Sequence, residues 1–180
     1  MPYKALLLDR DGIVNVDHGY VSDLSRFAFM DGIFALTRHA VDRGFRIAVI
    51  TNQSGIARGY FTEAAFLELT SQMRGAFLAQ GVELAGVFHC PYHPSGTVGS
   101  YARDSFWRKP NPGLILEAAR RLKLDLARSV FLGDQPTDME AARAAGVERR
   151  VLLSPAAAPA APGAATSMIQ HLEELIPMLR

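Results

Sequence analysis

The chain has 180 residues, 49% of them hydrophobic, enough for one core of ordinary size and short for two domains. Lys and Arg total 19 against 18 Asp and Glu, a formal net charge of +1, which argues against a general electrostatic footprint for nucleic acid or an anionic membrane. Its single cysteine, Cys90, excludes an internal disulfide and a multi-cysteine metal site and fits a reducing, cytoplasmic setting.

At the amino terminus the apolar run is too short for a signal peptide and ends at Asp9. No stretch reaches about 18 uninterrupted apolar residues, so no transmembrane helix is expected. Short β-branched and aliphatic runs alternate with segments of helical period, the pattern of a parallel sheet with crossover helices. Strands are predicted at Ala5–Asp9, Phe45–Thr51, Leu84–Cys90, Ser129–Gly133 and Arg149–Leu153.

Helices are predicted between them from their end signals. Asp31 is the expected cap of the first and Gly44 its stop; Thr62 with Glu63 opens the second; Asn111 and Pro112 open the third; Pro136 opens the fourth, which Gly146 ends. The Ala- and Pro-rich stretch 154–167 reads as a flexible surface connection. A last helix is expected over Thr166–Leu179, with Met168, Leu172, Leu175 and Leu179 as its packing stripe. The predicted fold class is α/β, a Rossmann-like three-layer sandwich with a central parallel sheet, occupying 1–180 as a single domain.

The chemistry collects at strand ends: Asp9 and Asp11 after the first, Thr51 and Asn52 after the second, Gly133 and Asp134 after the fourth. In an open parallel sheet, ligands bind beyond the carboxyl ends of the strands where strand order reverses. If the first and fourth strands are central neighbours, three carboxylates and a hydroxyl face one small volume, which suits Mg²⁺ with its preference for carboxylate and phosphate oxygens. DRDG alone is also an ordinary strand exit; GDQPTD at a second strand end strengthens the metal reading. Arg108 and Lys109 add a bidentate fork and a point charge suited to phosphate. Two connections, Arg10–Met30 and Pro91–Lys109, far exceed the usual length of about 2–6 residues and leave strand ends, where loops carry function.

Together, DRDG at 9–12, TNQSG at 51–55, RKP at 108–110 and GDQPTD at 133–138 resemble, in order, the four motifs of the haloacid dehalogenase superfamily of phosphohydrolases. Within it, NVDHGYV at 15–21, TNQSGIARGYF at 51–61 and CPYHP at 90–94 are most similar to the D-glycero-D-manno-heptose 1,7-bisphosphate phosphatases, ahead of the related histidinol-phosphate phosphatases. The resemblance implies Mg²⁺-dependent removal of the 7-phosphate through an aspartyl-phosphate, in nucleotide-activated heptose biosynthesis for lipopolysaccharide. It makes Asp9 the nucleophile and Asp11 the general acid and base, with Thr51 and Lys109 holding the phosphoryl group. The metal would be held by Asp9, Asp134 and the backbone carbonyl of Asp11. Substrate contacts would come from Asp17, His18, Gly19 and Tyr20, from Asn52, Gln53 and Ser54, and from Arg108, with Gln135 beside the metal aspartate.

The spacing also permits Asp11 to act as a carboxylate metal ligand. Two departures stand out: Ile13 occupies a position where the family often has threonine, and the zinc pattern of many heptose enzymes reads here Cys90, Tyr92, Ser105 and Trp107. With three of four ligands missing, zinc is expected to be absent, and Tyr101, Phe106 and Trp107 to pack the loop instead. Neither long loop can hold a separate cap domain, so the site is expected to be open and the protein monomeric, acting on a small sugar phosphate and on neither nucleic acid nor membrane. A non-catalytic sugar-phosphate binder and a polynucleotide 3′-phosphatase are the alternatives; the absence of a Gly-x-Gly-x-x-Gly after the first strand argues against a dinucleotide enzyme.

Overall fold

A computed structural model describes residues 2–154 and 163–180. Among the described residues six parallel strands form one sheet: β1 (Ala5–Leu8), β2 (Arg46–Asn52), β3 (Leu84–Cys90), β4 (Val130–Gly133), β5 (Arg149–Leu153) and β6 (Ser167–Ile169). Their spatial order is β3-β2-β1-β4-β5-β6, so the chain winds outward in both directions from β1, and the switch point lies between β1 and β4. Leu8 pairs with Val49 of β2 on one side and Leu132 of β4 on the other.

The period of two along β1 divides the core. Leu6 and Leu8 face a cluster with Ile33, Leu36, Phe77 and Leu175, while Ala5 and Leu7 face another with Leu114, Ile115, Met139 and Ala142. The first layer holds α1 (Ile33–Asp42), α3 (Glu63–Ala79) and a carboxy-terminal 3-10 helix, Leu172–Met178. The second holds α4 (Gly113–Leu122) and α5 (Pro136–Ala145); a single turn, α2 (Ser54–Ala57), follows β2. Each leucine of β1 is fully buried, a stabilisation of about 1.5–3 kcal/mol per side chain. No helix among the described residues is long and apolar enough to cross a membrane.

The five predicted strands agree with the observed ones to within a residue. Thr62 caps α3 as expected, its hydroxyl accepting from the Ala65 amide at 3.1 Å, and Gly146 ends α5 at φ 88°. Asp31 does not cap α1. Gly32 takes the cap position at φ 82°, and a Cβ there would lie 2.6 Å from Glu173 Oε1, so the charge at this helix start comes from the far end of the chain. α4 begins at Gly113, with Pro112 at the cap position and without a side-chain cap, and the Asn111 amide donates to the Ser105 carbonyl at 3.0 Å.

The predicted helix over Thr166–Leu179 is corrected. Its first part is β6, which extends the sheet through Val151–Ser167, Leu152–Met168 and Leu153–Ile169 pairs. Its second part is the 3-10 helix, opened by reciprocal hydrogen bonds between His171 and Glu174 and containing Pro177, which lacks the amide that a regular helix needs. Of the expected stripe, Leu172, Leu175 and Leu179 are buried in one core cluster, whereas Met168, in β6, is half-buried and packs against the cluster on the other face of the sheet. Most of the predicted flexible connection lies outside the described residues. Thr62→Ala should remove the α3 cap and cost about 1 kcal/mol, read from urea denaturation midpoints.

Candidate active site

Beyond the carboxyl ends of β1, β2 and β4 lies a cleft of about 410 Å³. Asp9 continues β1 into it, its amide donating to the Leu132 carbonyl at 3.0 Å. Lys109 enters from the 91–109 loop and is 3% exposed. Its ammonium donates to Asp138 Oδ1 at 2.6 Å, to Asp9 Oδ1 at 2.9 Å and to the Ile50 carbonyl at 2.9 Å. Asn52 fixes the backbone of the same lysine from both sides, accepting from its amide at 3.1 Å and donating to its carbonyl at 3.0 Å.

This geometry sets the electrostatics. Burial opposes the Lys109 charge, but Asp138 and then Asp9 more than offset it and hold the ammonium above its ordinary range. Burial raises the Asp9 carboxyl, and Lys109 pulls it back in part. Asp134, at the end of β4, is pushed up to about 6 by burial and then by the Asp138 charge. Its Oδ1 is buried without a hydrogen-bond partner.

Carboxylate oxygens of Asp9, Asp134 and Asp138 lie within 4.8 Å of one another, a spacing fit for a metal ion. Asp138 is nevertheless spoken for: Oδ1 takes Lys109 and Oδ2 accepts the Gln135 amide at 3.1 Å. The orphaned oxygen of Asp134 makes it, with Asp9, the carboxylate pair that fits a hard cation. Gly12 and Gly133 make the crowding possible, because a Cβ would lie 2.3 Å from Asp134 Oδ2 at the first and 2.4 Å from Asp138 Oδ2 at the second.

The Asp11 carboxylate is enclosed by donors. Arg10 meets it with Nε at 3.2 Å and NH2 at 2.8 Å, Asn15 Nδ2 at 3.0 Å and Gln53 Nε2 at 3.0 Å. Gln53 also donates to Thr51 Oγ1 at 2.8 Å, so the threonine lies buried beneath the cleft with its own proton free to donate. Asp17, Gly19 and Tyr20 line one wall, shaped by the Asp17 Oδ1 contact to the Gly19 amide at 2.8 Å. Ser54 and Arg108 line the other, and Arg108 NH1 is buried without a partner, a donor suited to an anion. His18 is the predicted substrate residue set apart, facing a separate depression with Arg26 and Phe27.

The loop carrying Lys109 is tied to α3 by a polar clip. Glu63 accepts from the Tyr101 hydroxyl at 2.9 Å and pairs with His89 Nε2 at 2.7 Å, while Arg58 contacts His93 at 3.3 Å. Phe106 and Trp107 do not pack the loop as expected; they stand 57% and 41% exposed, because hydrogen bonds to Glu63 and the Ala57 carbonyl hold it instead. Cys90 is buried, and burial raises its thiol.

A family model described as HAD-hydrolase-like matches residues 106–174. The chain is 41% identical to the D-glycero-alpha-D-manno-heptose-1,7-bisphosphate 7-phosphatase of Burkholderia mallei over 99% of this chain and 95% of that one. The chain belongs to the haloacid dehalogenase-like phosphatases. It is 46% identical to the D-glycero-beta-D-manno-heptose-1,7-bisphosphate 7-phosphatase of Escherichia coli K12, over 83% of this chain and 78% of that one. The crystal structure of D,D-heptose 1,7-bisphosphate phosphatase from B. bronchiseptica, complexed with magnesium and phosphate, superposes with a TM-score of 0.84 at 28% identity, covering 98% of this chain and 97% of that one.

In this phosphatase Asp138 is the site residue that sequence reasoning missed. It lies in the GDQPTD stretch, at the third position of the helix opened by Pro136, where its carboxylate accepts the Gln135 amide; its pairing with Lys109 is visible only in the structure.

Gly133→Ala should displace Asp138 from Lys109, destabilise by about 1–3 kcal/mol and depress phosphate release. Gly75→Ala, in open space on α3, should instead stabilise by up to about 1 kcal/mol; urea titrations of both check the contrast. Glu63 is held below its ordinary range, first by the hydrogen bond with His89 and then by that of Tyr101. A lowered carboxylate contributes stability above its unfolded pKa and loses it as the pH falls through the folded one. Glu63→Gln should therefore be less stable than the parent at neutral pH, the two thermal midpoints converging in acid.

Proposed function

We propose that the chain removes the 7-phosphate from a heptose 1,7-bisphosphate by way of an aspartyl-phosphate on Asp9, with Mg²⁺ as cofactor. The observation that carries the reading is the Asp9–Lys109–Asp138 array at the sheet's switch point, beside the unpartnered oxygen of Asp134. Heptose specificity is supported by relatives named for that activity.

Asp9 and Asp134, with the backbone carbonyl of Asp11, would hold Mg²⁺. When bound, the cation supplies positive charge against the phosphoryl oxygens and offsets the carboxylates around it. With Asp9 Oδ1 engaged by Lys109 and the Arg10 amide, Oδ2 is the oxygen left to attack phosphorus. Lys109 and the free proton of Thr51 receive charge on the equatorial oxygens. Asp11 gives a proton to the departing sugar oxygen and takes one from the water that later hydrolyses the aspartyl-phosphate. Arg108, Asn52, Gln53 and Ser54, with Asp17, Gly19 and Tyr20, orient the rest of the substrate. The reading includes one phosphatase domain without a cap, acting as a cytoplasmic monomer in heptose supply for lipopolysaccharide.

Phosphate release from heptose 1,7-bisphosphate, histidinol phosphate and a 3′-phosphorylated oligonucleotide, with and without Mg²⁺, tests this. The expected result is a kcat/KM preference for the bisphosphate that EDTA abolishes and excess Mg²⁺ restores. A preference for histidinol phosphate would displace the heptose reading while leaving the chemistry. Asp9→Asn should eliminate turnover, while Asp11→Asn should still phosphorylate Asp9 from activated aryl phosphates, detectable by mass spectrometry of quenched protein.

A further inference from the structure

Arg10, between the two aspartates, is 1% exposed, the largest fully buried side chain among the described residues. A guanidinium is driven from water only when all around it is arranged to receive it. Here it grips both oxygens of Asp11, with NH2 at 2.8 and 3.0 Å and Nε at 3.2 Å from each. The same NH2 donates to the Val21 carbonyl at 2.9 Å, and the Phe66 ring lies 5.6 Å from Cζ. The Arg10 carbonyl accepts from the amides of Val14 and Asn15 at 2.7 and 3.1 Å, so the backbone turn is anchored at the same residue.

Val21 immediately follows the wall residues Asp17, Gly19 and Tyr20. One buried side chain therefore touches the carboxylate that must reach the leaving oxygen and the foot of the wall that holds the leaving sugar. We infer that Arg10 is a positioning residue for the reaction, setting the Asp11 carboxylate relative to the substrate wall so that proton delivery meets the departing oxygen. This rests on the proposed role of Asp11 as general acid. Arg10 touches neither phosphate nor sugar. Asn15 and Gln53 complete the same enclosure, Asn15 also reaching the Val16 carbonyl at 3.0 Å, but each meets a single oxygen of Asp11, whereas Arg10 grips both and is the one cation among them.

A residue that only supports the fold would slow all substrates alike, whereas one that sets the acid matters most where the leaving group needs a proton. The test compares p-nitrophenyl phosphate, whose phenolate departs unaided, with whichever of heptose 1,7-bisphosphate and histidinol phosphate the parent turns over faster. Arg10→Met should slow the first turnover, formation of the Asp9 phosphate read by rapid quench, by about 100-fold or more with the alkyl phosphate and by less than about 10-fold with the aryl phosphate, whereas steady-state kcat falls on both because Asp11 also serves the shared hydrolysis step. Arg10→Lys retains the buried charge, so it preserves the fold, but it cannot bridge both partners as a fork. It should show the same selectivity at smaller amplitude, and it decides the matter if the methionine variant does not fold. Equal first-turnover losses on the two substrates, or no loss on the alkyl one, would overturn the inference. Failure of the parent enzyme to hydrolyse either class would instead remove the reading of Asp9 and Asp11 on which it rests, a result visible before any variant is made.

Discussion

The buried ammonium of Lys109 is the interaction on which the site depends. Two carboxylates about 4 Å apart repel by about 4 kcal/mol at an effective dielectric of 20, and the ends of β1 and β4 with the start of α5 bring oxygens of Asp9, Asp134 and Asp138 within 4.8 Å of one another. The ammonium between Asp9 and Asp138 balances part of that repulsion from within the protein. The rest is centred on Asp134, whose Oδ1 is buried without a hydrogen-bond partner. The lysine comes from a long loop rather than a strand, so its position depends on Asn52, which fastens the loop's end to β2.

Division of labour follows from this arrangement. The strand ends and α5 supply the carboxylates at the floor of the cleft, and their geometry is fixed by the parallel ladder and two close-packed cores. The 10–30 and 91–109 segments supply the walls. They are held by local hydrogen bonds, among them the pairing of Val14 and Val16 with Met30 and Ala28, and the Glu63 clip. Side chains such as Arg108 and Tyr20 can therefore face a substrate without bearing on the core.

The sheet was legible in the sequence because its central strands are buried on both faces and read as continuous apolar runs bounded by Asp, Asn and Gly. The cluster of polar residues at the strand ends followed from the same pattern. What was not legible depended on partners distant in sequence. The stretch after 166 has helical spacing, but its backbone pairs with β5, a choice made by the open edge of the sheet. Asp31 lost its capping role to Gly32 and a distant glutamate. Phe106 and Trp107 read as packing residues because they are aromatic, yet polar contacts hold their loop. Asp138 and Arg10 are set apart from their neighbours in sequence by burial and by bonds to Lys109, Asp11 and the Val21 carbonyl, which no local pattern displays.

The walls around the carboxylates are backbone where side chains would ordinarily be. At Gly12 and Gly133 the chain passes so near Asp134 and Asp138 that even a methyl group has no room. Lineages descending from this protein can therefore explore new substrates by altering exposed loop residues, whereas the floor of the cleft offers almost no viable first step. Diversification should accumulate at the rim while the reaction itself stays constant.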